Sequence, residues 1–145
     1  MISTVIDTHT PSMIRLTQTL RDAVKGIHIF PFGSAELMID SMTHVEVSPN
    51  LAIINVNPVI CEQDLPFCQS ITAYWPDCKI IIFYRQRSTV VPFLRLGAHG
   101  FLKKGAEATE VRECIEWVLS GRRYCNTDFI NWIIGTSPKR LSVRR

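Results

Sequence analysis

The chain has 145 residues, 46% hydrophobic and 20% charged, which suits one domain with a real core and excludes a disordered polymer. No apolar run approaches the roughly 20 residues that span a bilayer, and the opening MISTVIDTH lacks the pattern of a secretory signal, so the cytoplasm is the expected compartment. The net charge of +3 is modest and unevenly placed, since four of the last nine residues, SPKRLSVRR, are basic.

Several short apolar runs are continuous rather than alternating, as strands buried on both faces are. They are Thr4–Ile6, Ile27–Phe30, Leu51–Val56, Ile80–Tyr84 and Gly100–Leu102. Helical spacing separates them. The first helix is expected to use Thr10 as N-cap and Pro11 at the first position, where a missing N–H is harmless. Met13, Leu16, Leu20 and Val24 recur on one side of it, and Gly26 stops it. A second helix is expected over Ser34–Met42, capped by Ser34, with Leu37, Met38 and Met42 inward. A third lies within Gln63–Tyr74, and Pro66 limits how early it can begin. Between the fourth and fifth strands Ser88 could cap a helix, but Pro92 makes that helix short or late. The clearest helix is Glu107–Ser120, with a stripe of Val111, Cys114, Ile115, Val118 and Leu119 and a C′ glycine at Gly121. Trp117 borders that stripe, as core rim or as part of a partner surface. A short helix over Thr127–Ile134 follows.

Strands alternating with helices imply βαβ units, hence a parallel sheet covered on both faces. Right-handed crossovers leave few doubly wound topologies. The five cysteines, odd in number and without a CxxC pair, give neither a disulfide framework nor a zinc site and fit small buried side chains in a reducing compartment. His28, His44 and His99 are scattered and suggest no ligand cluster. No P-loop, GxGxxG or GxSxG motif occurs.

Three stretches carry a more specific signal. VIDTHTPSMIRLTQTL at the start resembles V-D-D-H-P-x-x-R-x-G-L, and SPNLAIINVN resembles a P-D-[LV]-aliphatic run ending D-x-N. WPDCKIIIFY and LRLGAHGFLKKGAEATEVRECIEWVLSGRRYCN resemble Y-P-x-x-K-[IV]-x-x-L-[ST] and A-G-A-x-G-[YF]-x-x-K with its final helix. Together they resemble the CheY-like receiver domain of two-component response regulators, in the NarL/FixJ branch that carries a LuxR-type helix-turn-helix. The resemblance covers residues 1–134. It implies a three-layer α/β/α fold of the flavodoxin-like (βα)₅ type, with parallel strand order 2-1-3-4-5.

A working receiver is similar to a small phosphotransfer enzyme. Two acids after the first strand and one after the third hold Mg²⁺, and the third carboxylate takes the phosphoryl group. Mg²⁺ requires hard oxygen ligands, and a carboxylate is needed to form the acyl phosphate. The resemblance places Asp7 on the first acidic position and Thr8 on the second. Asn55 stands at the phosphoacceptor, and Asn57 on the residue that offers only a backbone carbonyl. Tyr84 takes the place of the switching Thr or Ser, while Phe101 and Lys104 match the aromatic and lysine that complete the site. One carboxylate of three remains, so Mg²⁺ binding and phosphorylation are expected to be lost and no cofactor is expected. The nearest other acids, Asp40 and Asp64, belong to segments away from the strand ends. Lys104 is expected to bond to Asp7 and Asn55.

The resemblance therefore implies an atypical, phosphorylation-independent receiver, not an enzyme, acting in signal transduction and transcription regulation. It would work as a homodimer or as a heterodimer with another regulator. Two other readings stay open: a phosphorelay receiver with a rebuilt site, and a sensor holding a small ligand in the Asp7–Asn55–Lys104 cleft. RLSVRR resembles the L-[ST]-x-R-E that opens a LuxR-type domain, so residues 135–145 are read as a basic linker to a DNA-binding domain absent from this chain.

Overall fold

The structure is a computed structural model that describes residues 1–7, 10–56 and 61–135. Each apolar run expected to be a strand is one, with no end moved by more than two residues: β1 (Ile2–Ile6), β2 (His28–Phe32), β3 (Leu51–Asn55), β4 (Lys79–Tyr84) and β5 (Gly100–Lys103). All pair in parallel, in the expected order β2-β1-β3-β4-β5. The helices are α1 (Thr10–Ala23), α2 (Ala35–His44), α3 (Cys61–Tyr74), α4 (Val91–Arg95), α5 (Ala108–Leu119) and α6 (Thr127–Gly135).

The central strands are apolar throughout because both of their faces are covered. Ile53 and Ile81 meet Leu16 and Leu20 of α1 and Val111, Ile115 and Val118 of α5. Ile54 and Ile82 face the other way, toward Met38, Ile71, Phe93 and Phe129 from α2, α3, α4 and α6. Each such isoleucine contributes roughly 1.5–3 kcal/mol of burial. The approach of α5 to β5 explains one glycine. A Cβ on Gly100 would lie 2.9 Å from Cys114 Sγ and 3.0 Å from Val118 Cγ2. Just past the C-terminus of α5, Gly121 (φ +91°) forms a Schellman stop. Its N–H bonds to Val118 O at 3.1 Å, and the Arg122 N–H bonds to Trp117 O at 3.0 Å.

Several local expectations need correction. β2 is not buried on both faces: it is an edge strand, largely exposed, and Pro31 is tolerated there because no strand pairs on its outer side. Thr10 is already helical rather than the cap, which moves Pro11 one residue inward. Ser34 does cap α2, accepting the Leu37 N–H at 3.1 Å, yet Leu37 itself is 56% exposed, because it projects beside the inward pair Met38 and Met42. Leu119 likewise lies on the exposed edge of its stripe. α3 begins at Cys61, before Pro66, which leaves that proline inside the helix. Ser88 does not cap a helix. It lies in a 3-10 turn (Arg87–Val90), and α4 starts late with Pro92 in its first turn, short as expected. Trp117 is 38% exposed, its ring edge-on to Tyr124 with Arg122 over it.

Candidate functional site

The parallel register delivers the candidate residues to one end of the sheet. Ile6 pairs with Ile54 and Asn55 with Phe83, so Asp7 and Asn55 leave neighbouring strands at the same edge. Tyr84 pairs with Lys103, and the Lys104 N–H bonds to Tyr84 O at 2.7 Å, which fixes the lysine at the end of β5. Carboxyl ends of strands are where doubly wound folds place their sites.

Asp7 and Asn55 are both buried, at 4% and 9% exposure, and they bind one another: Asn55 Nδ2 donates to Asp7 Oδ2 at 2.5 Å. A carboxylate only accepts, so the amide must turn its N–H group toward Asp7, and its carbonyl faces away. That carbonyl, Asn55 Oδ1, is buried without a hydrogen-bond partner among the described residues. A buried unsatisfied acceptor costs roughly 1–3 kcal/mol.

Lys104 does not bond to Asp7 or Asn55 as expected from the sequence. It stays within electrostatic range of Asp7, and burial, Arg85 and Arg15 push its pKa below the ordinary lysine value while Asp7 pulls it back. With Asn55 and Lys104, Arg15 and Arg85 line one cleft of about 430 Å³ whose walls include Leu16, Phe83 and Ala106. Sequence reasoning passed over both arginines. The available signal was positional: Arg85 directly follows β4, and Arg15 is on the first helix after β1.

Tyr84 and Phe101 lie on the opposite face of the sheet from this cleft, each nearly fully buried. Phe129 of α6 covers them, stacked on Phe101 with ring centroids 5.6 Å apart and tilted against Tyr84 at 5.4 Å. Burial is the main reason that the Tyr84 phenol titrates above its ordinary value. Asn126 holds α6 in place, because its side-chain carbonyl accepts the Phe129 N–H at 2.8 Å. Thr8, Asn57 and the tail from residue 136 onward lie outside the described residues. Asp40 is exposed on α2 and does not stand at the end of β3. Among the described residues, no three His, Cys, Asp or Glu side chains form a group that could hold a metal ion. No described helix is long and apolar enough to cross a membrane.

No protein-family model matches the chain, and no curated protein matches it either. Solved structures do. A LuxR-family two-component response regulator from Aurantimonas sp. SI85-9A1 superposes with a TM-score of 0.73 at 17% identity, covering 97% of both chains. The isolated REC domain of RcsB from Salmonella enterica serovar Typhimurium, in its apo form, gives a TM-score of 0.75 at 12% identity over 92% of this chain and 98% of that one. RcsB from the same organism, bound to a promoter in the presence of phosphomimetic BeF3⁻, gives 0.71 at 12% identity over 90% of this chain and 65% of that one. At such identities the likeness is one of fold. The chain has the flavodoxin-like receiver fold.

Proposed function

We propose that this chain is a phosphorylation-independent receiver domain, a binding module in signal transduction and transcription regulation rather than a phosphoacceptor. The Asn55–Asp7 hydrogen bond carries the reading. Where an acceptor carboxylate and a metal would stand, an amide points its N–H group at the remaining acid. Asn55 offers no nucleophilic carboxylate, so no acyl phosphate forms there. The donor set does not fit Mg²⁺, which takes oxygen ligands in octahedral geometry. Asp7 is committed to an N–H donor, and in the sequence the neighbouring acid is replaced by Thr8.

A second feature supports the same reading. Tyr84 and Phe101, at the switch positions of the family pattern, are clamped beneath Phe129 and have no room to exchange conformations without moving α6. The module then acts by dimerisation or by docking another regulator. DNA contact belongs to a domain joined through the basic tail, as the fold's likeness to promoter-bound RcsB suggests. The free thiols of Cys68, Cys78, Cys114 and Cys125 suit the reducing cytoplasm.

Sedimentation velocity tests the reading. The distribution of monomer and dimer should be the same with and without Mg²⁺ and beryllofluoride. A shift on adding the two together would refute phosphorylation independence.

A further inference from the structure

The cleft beside Asn55 has properties that an inert relic does not need. Three cationic side chains, Arg15, Arg85 and Lys104, line a space of about 430 Å³, within the roughly 300–1,000 Å³ typical of small-molecule sites. None of the three has an ion-pair partner among the described residues, and Asp7, which acts electrostatically on Lys104, also accepts from Asn55. Like charges gathered in one cleft repel one another, and a cleft lined by one sign of charge raises the local concentration of ions of the opposite sign. Asn55 lines the same cleft. Leu16, Phe83 and Ala106 supply an apolar wall between these polar groups.

We propose that this cleft reversibly binds a small organic phosphomonoester, with its phosphate between Arg15, Arg85 and Lys104 and its organic body against Leu16, Phe83 and Ala106. Guanidinium forks match phosphate oxygens two at a time, which favours phosphate over a simple carboxylate. Three cations against the single carboxylate of Asp7 leave an excess suited to a dianion. An arriving anion would also offset the burial and the Arg85 and Arg15 charges that together lower the Lys104 pKa. Neither arginine belongs to the residues that the receiver resemblance singles out, and no covalent step is involved. The inference rests on the reading above only in that no phosphoryl group is bonded to Asn55.

Isothermal titration at low salt tests it, with the whole chain against inorganic phosphate, ribose 5-phosphate, adenosine 5′-monophosphate and uncharged adenosine. One of the two organic phosphates should saturate a single site at least about tenfold more tightly than inorganic phosphate, and adenosine should not bind. Arg15→Ala and Arg85→Ala, both surface changes that leave the core intact, should each weaken that binding about tenfold or more, the loss expected for a hydrogen-bonded charge pair. Absence of saturable binding, equal affinity for inorganic phosphate, or full binding by Arg85→Ala would each overturn the proposal. Any of these results leaves phosphorylation independence standing, because that reading fails only if an acyl phosphate or its beryllofluoride mimic forms.

Discussion

Asn55 decides more than any other side chain because one atom distinguishes it from aspartate. With an amide, a buried N–H donates to the Asp7 carboxylate. With a carboxylate, two acids would share the same few ångströms, and one would have to keep its proton. Asn55→Asp is therefore expected to raise carboxyl pKa values in the folded state. Its stability penalty should be small near about pH 4, where aspartate ordinarily titrates, and should grow to roughly 1–3 kcal/mol as pH rises above it. Thermal melts across pH check this. On the proposed reading, in which Thr8 takes the place of the second acid, the same variant should still not dimerise in response to acetyl phosphate; a phosphate-dependent dimer in sedimentation would contradict this. His99 supplies a titration of opposite origin. Its Nδ1 accepts the Ile80 N–H at 3.1 Å, and burial, with Lys79 and Arg123, lowers its pKa below 6.5. The unfolded chain then binds the proton first, so stability should fall as pH drops below about 6.5. His99→Asn should flatten that profile. Asn55 and Lys104 were legible in the sequence because each stands in a patterned run. Arg15 and Arg85 were not, since an exposed arginine on a helix or turn looks the same whether it faces solvent or a cleft.

Among the elements, α5 was the most legible, because its apolar stripe and its terminal glycine are direct consequences of packing on β5. Gly100→Ala should cost roughly 1–3 kcal/mol by overpacking against Cys114 and Val118, measured by denaturant unfolding. The position of α6 could not be read. Its apolar residues announce a helix, but which face of the sheet receives it depends on how little of that face α4 covers, a matter of tertiary geometry. With α4 reduced to Val91–Arg95, Phe129 becomes the cover for Tyr84 and Phe101. Phe129→Ala should cost about 3–5 kcal/mol, and should make both rings accessible. An unchanged unfolding midpoint in that variant would mean that α6 is not part of the folded unit. β2 misled for a related reason: HIFPF is as apolar as an inner strand, and only the topology reveals that it lies at the edge.

For the whole molecule, the receiver fold follows from alternating strands and helices joined by right-handed crossovers, and the solved structures share it. At the carboxyl end of the sheet stand one acid, one amide and three cations, and in the proposed reading they take the place of the grouping that phosphotransfer needs. On the proposed reading, the molecule works without accepting a phosphoryl group. Intact-mass measurement after incubation of the wild-type chain with acetyl phosphate and Mg²⁺ tests it most directly: the mass should be unchanged, and stoichiometric gain of one phosphoryl group would contradict it.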